Sequence, residues 1–172
     1  MDKDTLRAIQ APLKDHYRVE PERARITLRA SGTLGEGVTC KLDTARGLAE
    51  AGLHPASGGD GVSLCSGDML LEALVACAGV TLNAVATALE ITLRDARVHA
   101  EGVLDFRGTL GVAKDAPVGF ESIDLRFEVD TDADEAQLAT LLRLTERYCV
   151  VYQTLRSTPA LETRLTRAQA AG

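Results

Sequence analysis

The run from Ser66 to about Leu89 constrains this 172-residue chain more than any other segment. Its residues are apolar or small on nearly every side of a helix. Such a helix must be wrapped by sheet, by other helices or by a second subunit. Ser66 is placed to cap it, and Asp68 in the first turn suits the positive end of the helix dipole. Glu72, Ala76, Gly79, Asn83 and Thr87 form its one narrow polar or small stripe. Glu72, Thr81, Asn83 and Thr87 break the apolar run Met69–Leu89, which favours a buried core helix over a membrane span.

The flanking segments change period. Ile26, Leu28 and Ala30 alternate with Arg25, Thr27 and Arg29; after a Gly35-Glu36-Gly37 turn, Val38, Cys40 and Leu42 alternate with Thr39 and Lys41. Together these predict a β-hairpin. Residues 45–65 predict a short helical piece and then a flexible connector through His54-Pro55 and Gly58-Gly59-Asp60-Gly61. Those glycines match no phosphate-binding fingerprint. Ala96, Val98, Ala100, Leu104 and Phe106 mark the dry face of one long strand, and Ile123, Leu125, Phe127 and Val129 that of a second. Residues 107–119 connect them. Asp132-Ala133-Asp134-Glu135 reads as a capping box before a helix whose inner face is Leu138, Leu141, Leu142 and Thr145. Helix continues over Gln153–Ser157, and Leu161–Arg167 ends the chain as a short strand. Leu6, Ile9, Leu13 and Tyr17 give residues 1–23 a helical appendage that Pro12 interrupts or kinks. The order implies one α+β domain, 1–172, with mostly antiparallel strands and two helices covering one face.

Composition narrows the chemistry. The formal charge is −6 and no Lys/Arg cluster is present, which argues against nucleic acid and anionic membranes as partners. Aromatic residues are 3% with no Trp, too few for stacking platforms. The start, Met1-Asp2-Lys3-Asp4, opens no apolar segment, so the expected location is a reducing cytoplasm. The four cysteines, Cys40, Cys65, Cys77 and Cys149, form no CxxC pair. A metal site would have to gather Cys65, Cys77 or Cys149 from across the fold. Cys40 lies on the dry face of its strand and reads as core. Cys77, amid small residues in the central helix, reads on composition alone as a small hydrophobe with a raised pKa, and reactivity would require a cation or strong donors nearby. Cys149 has Arg147 near it. Cys65 is a loop cysteine or an alternative resolving thiol. His16, His54 and His99 are isolated, and none is assigned as a base.

The segment Ser66-Gly67-Asp68-Met69-Leu70-Leu71-Glu72-Ala73-Leu74-Val75-Ala76-Cys77, continuing Ala78-Gly79-Val80-Thr81-Leu82, resembles the signature helix of the OsmC/Ohr family. So do the element order and the second cysteine in Glu146-Arg147-Tyr148-Cys149, over residues 24–167. Val150 stands where many members carry Pro, and the Ohr-branch glutamate falls on Gly67. The resemblance implies antiparallel sheets wrapped around the central helix in an intertwined homodimer. It also implies a thiol-dependent peroxidase acting on organic or inorganic hydroperoxides. Cys77 would be peroxidatic, Cys149 would resolve it as a disulfide, and a dithiol, lipoyl-type in part of the family, would reset the pair. Such chemistry needs an arginine oriented by a carboxylate. Asp68 is the candidate carboxylate, Glu72 the other one near Cys77, and Arg25 and Arg29 lie in the family's arginine region. No cofactor or metal is expected. The competing reading is a noncatalytic small-molecule-binding or interaction dimer of the same fold, with structural cysteines.

Overall fold

In a computed structural model, the chain is described over residues 2–19, 31–34, 39–44, 47–59, 61–111 and 113–167. The predicted strand over 24–30, the turn 35–37, and with them Arg25 and Arg29, lie outside the described residues. So does the side chain of His16. The fold is mixed α+β, as expected. Helix α1 is Lys3–Val19. Strands β1 (Ser31–Leu34), β2 (Thr39–Thr44) and β3 (Gly47–Gly52) pair antiparallel, and the short β4 (Leu64–Cys65) adds in parallel to β3. Cys40 sits in β2 opposite Leu34 and Ala51. Helix α2 is Ser66–Leu89. Strands β5 (Asp95–Leu104) and β6 (Phe120–Asp130) form a separate antiparallel pair, with the short α3 (Phe106–Thr109) between them. Helices α4 (Glu135–Tyr148) and α5 (Val150–Arg156) complete the order.

Several expectations change. Helix α1 runs on through Pro12 instead of stopping there. Gly47–Gly52 is a strand, not the helical piece that Leu48, Ala49 and Glu50 suggest. Pairing with β2 along six positions overrides the local helix preference. A 3₁₀ turn, Pro55–Ser57, follows, with the His54 side chain accepting the Ala56 N–H. The capping box of α4 is Asp134 with Gln137, two residues later than predicted: the Gln137 N–H donates to Asp134 and the Asp134 N–H to the Gln137 side chain. Residues 161–167 are exposed and form no strand.

Helix α2 is the centre of the packing. Leu74, Ala78, Leu82, Val85 and Ala86 are its buried face. Two clusters form on this face. Leu82, Val85 and Ala86 pack with Ile91 and with Leu141 of α4, and Phe127, Val129 and Leu138 close over them. Leu74 and Ala78 pack with Cys149, against Val98, Ala100, Ile123 and Leu125 from the dry faces of β5 and β6. By length and composition α2 could cross a membrane, contrary to the expectation from its polar breaks. Its packed face is what a core helix shows. The other side of the helix is open within this chain: Glu72 is exposed, and so are Ala73, Ala76 and, at 74%, Val80.

Glu90 ends α2 in the left-handed region (φ 58°), and its N–H returns to the carbonyls of Ala86 and Thr87. That turn sends the chain into β5. Arg94 then locks the base of the β5–β6 pair, bonding Asp130 and Asp132 through its guanidinium at 2.6 Å each.

Leu141 is 2% exposed and touches the largest buried cluster. Leu141→Ala is expected to lower unfolding free energy by about 2–5 kcal/mol. Urea unfolding followed by circular dichroism measures it, and a loss below 1 kcal/mol would mean that α4 does not anchor this core.

Candidate active site

Cys77 lies in the fourth turn of α2, next to the fully buried Ala78. Cys149 lies at the break between α4 and α5: it is the C-cap of one helix and the N-cap of the other. Its backbone is extended there (φ −72°, ψ 109°), so the chain bends without losing its bonds. The Cys149 N–H still donates to Thr145 O, and Gln153 N–H donates to Cys149 O, each at 2.9 Å. The Gln153 side chain donates to Glu146 O at 2.8 Å and ties α5 back to α4. Thr145, 1% exposed, satisfies its hydroxyl on Leu141 O at 2.8 Å. Cys149 is thereby held at 1% exposure against the middle of α2.

Cys77 packs against the cluster that holds Cys149; Cys77 is half-buried and Cys149 buried, both as free thiols. Their environments push them apart. Burial alone would raise the Cys77 pKa. It is outweighed by the Val151 N–H, the Cys149 thiol, the Val150 N–H and the Thr81 hydroxyl, and Cys77 is left below the ordinary thiol range. For Cys149 burial is the largest influence and raises its pKa. The neighbouring Cys77 sulfur adds to that rise, against the opposing N–H groups of Tyr152 and Val151. The pair is therefore asymmetric: the surroundings of Cys77 favour its thiolate form and those of Cys149 its thiol form. The donors come from the first turn of α5, where backbone N–H groups have no partner within the helix. Val150 matters here: a proline in its place would have no N–H to offer.

Asp68 is not brought to this pair. It lies nine residues before Cys77 on one helix, about 13 Å along the axis and roughly two and a half turns away, so it faces the opposite side. It instead lines a separate cavity of about 370 Å³ with His54, Cys65, Gly67, Phe106 and Phe120. There the His54 ring stacks on Phe106 at 4.9 Å. Cys65 belongs to this cavity too, and Glu72 points to solvent within the chain. His99 is half-buried on β5, 3.7 Å from Glu128. Arg147 stands 5.7 Å over the ring of Tyr148. Among the described residues, no group of three or more His, Cys, Asp or Glu side chains could hold a metal ion.

The sequence pointed to both cysteines but not to the donors. Val150-Val151, two β-branched residues, gives no helix-start signal, and the N–H groups acquire their role only because the chain breaks at Cys149. Thr81, one turn after Cys77, carries the one readable hint, since Ser and Thr at this spacing bond back to the carbonyl four residues earlier. Its hydroxyl donates to Cys77 O at 2.7 Å.

The alkylation rate of Cys77 by iodoacetamide is expected to rise with pH through a midpoint below that of an ordinary thiol, about 8.5, with the Cys149 midpoint above it. Val150→Pro keeps a residue suited to the first helical position while removing one donor, so it moves the Cys77 midpoint upward. Peptide mass spectrometry across a pH series reads both. A Cys77 midpoint at or above that of Cys149 contradicts the assignment.

The OsmC-like protein family matches residues 58–164, more than half of the chain. No curated protein matches. Solved structures of similar fold include the OsmC-like protein from Mycoplasma pneumoniae, 18% identical, covering 77% of this chain and 89% of that one with a TM-score of 0.65. An organic hydroperoxide resistance protein OsmC from Legionella pneumophila is 16% identical, covers 77% and 90%, and has a TM-score of 0.60. An organic hydroperoxide resistance protein from Elizabethkingia anophelis is 15% identical, covers 78% and 91%, and has a TM-score of 0.57. At these identities the structures speak to the fold alone; the match over residues 58–164 goes further, and the chain belongs to the OsmC-like protein family.

Proposed function

We propose that this protein is a thiol-dependent peroxidase that reduces hydroperoxides in a reducing cytoplasm, with Cys77 as the peroxidatic and Cys149 as the resolving cysteine. The observation that carries the reading is the packing of Cys77 against the cluster that holds the buried Cys149, with the first lowered and the second raised in pKa. Relatives of the same fold named as organic hydroperoxide resistance proteins support it.

The chemistry balances on these two residues. The Cys77 thiolate attacks the O–O bond of the hydroperoxide. An S–O bond forms, the O–O bond breaks, and the departing alkoxide takes a proton and leaves as an alcohol, or as water from hydrogen peroxide. Cys77 is now a sulfenic acid. The Cys149 sulfur then attacks the Cys77 sulfur. The S–S bond forms, the S–O bond breaks, and the hydroxyl leaves as water with the proton from Cys149. An external dithiol returns two electrons and two protons by exchange, and is itself oxidised to a disulfide. The half-buried Cys77 is open to a small peroxide, whereas the buried Cys149 is shielded from it.

The assembly we propose is a homodimer. Its support is the open side of α2, where Ala73, Ala76 and the 74%-exposed Val80 face water in a helix otherwise built for burial.

Non-reducing intact mass with thiol mapping after stoichiometric tert-butyl hydroperoxide tests the chemistry. The expected result is a loss of two hydrogens and a Cys77–Cys149 bond within one subunit. In Cys149→Ser, Cys77 stops at a sulfenic acid that dimedone traps. If both thiols stay free in a folded protein, the chain is a noncatalytic binding dimer with structural cysteines. Light scattering is expected to give twice 18.3 kDa for the native protein and a lower mass for Val80→Glu. A monomeric native protein would sink the assembly.

A further inference from the structure

We propose that the cavity at the start of α2 is a ligand site of its own, separate from the thiol pair, and that it takes a small organic cation: an ammonium group on an aryl or alkyl body. Neither its construction nor its test depends on the peroxidase reading.

The cavity encloses about 370 Å³, within the ~300–1,000 Å³ of small-ligand sites. Its walls are set before any ligand arrives. The His54 ring is fixed twice: its Nδ1 accepts the Ala56 N–H at 3.0 Å, and it stacks on Phe106 with ring centres 4.9 Å apart. Phe106 is thereby held in the lining. A second ring, Phe120, lies over Gly102 of β5, where a Cβ would collide with it, so only glycine admits the ring there. Gly67 keeps the start of α2 equally bare. A Cβ on it would make ordinary contacts of 3.5–3.6 Å with Leu104, the Cys65 sulfur and Phe120, so a longer side chain there would enter the cavity. Leu71 adds hydrocarbon to the lining.

Charge decides what such a box accepts. Among the described residues that line it, Asp68 alone carries a formal charge. It is exposed at the rim and has no ion pair with any described residue. An ammonium on an apolar body matches this arrangement. The carboxylate accepts its N–H groups, the ring faces attract its charge, and its hydrocarbon leaves water. The formal charge of −6 on the chain favours the approach of cations over anions. Cys65, a half-buried free thiol in the same lining, is placed to report occupancy. It stands twelve residues before Cys77, about 18 Å along the α2 axis, so the two thiols report on different places.

Calorimetry compares three probes of one shape: phenethylammonium, 2-phenylethanol and 3-phenylpropionate. Affinity is expected to fall in that order, with the alcohol about fivefold weaker than the amine. Asp68→Asn brings the amine down to the affinity of the alcohol. Gly67→Leu, which fills the cavity and is the better helix former, abolishes binding of both. Saturating phenethylammonium slows alkylation of Cys65 by iodoacetamide and leaves that of Cys77 unchanged, as read by peptide mass spectrometry. No saturation by any probe up to about 10 mM overturns the site. Tighter binding of 3-phenylpropionate overturns the cation, because the amides that open α2 would then outweigh the carboxylate. An unchanged affinity for the amine in Asp68→Asn does the same. Full binding in Gly67→Leu, or shielding of Cys77 in place of Cys65, overturns the location. No readout uses a peroxide, so failure of the peroxidase reading and failure of this site are told apart.

Discussion

The contact between the middle of α2 and the break at Cys149 is the constraint on which the site depends. Leu74 and Ala78 lock α2 onto Cys149, and the dry faces of β5 and β6 close over all three. Close packing of this kind fixes a sulfur to within tenths of an ångström, because a side chain in a filled core has no alternative place to go. The same contact aims the start of α5 at Cys77. One packing interaction therefore brings the second sulfur and delivers the backbone donors together.

This arrangement resolves the difficulty of a thiolate in an apolar helix. Burial opposes the charged form. The N–H groups of Val150 and Val151 and the hydroxyl of Thr81 favour it, and they sit close enough to prevail. Cys149, deeper and beside Cys77, is pushed toward its protonated form by burial and by the neighbouring sulfur. The asymmetry distinguishes the two cysteines without requiring a difference between the residues themselves.

Beyond Thr81, Ala84 lines a groove that α1 and α4 also border. Asp68 stands apart from the thiol pair, since nine residues of helix carry it to the opposite face.

The sequence by itself determined the elements whose signal is periodic and local. Helix α2, the alternating face of β6, the Leu138, Leu141 and Thr145 face of α4 and the two cysteines were legible, because a repeat of 3.6 or 2 residues reports burial directly; Leu142, expected on that face of α4, is 44% exposed, and of the expected dry face of β5, Ala96 is exposed and Phe106 falls in α3. It did not determine β3, where Leu48, Ala49 and Glu50 favour a helix and only the pairing with β2 makes a strand. Nor did it determine which side of α2 the rest of the chain would cover. An all-round apolar helix is silent on that, and the contacts of Leu74, Ala78, Leu82, Val85 and Ala86 decided it. The meeting of Cys77 with the amides of Val150 and Val151 was decided by tertiary structure alone. Backbone N–H groups are the same in every sequence, and only the placement of a chain break in space turns them into donors for one particular sulfur.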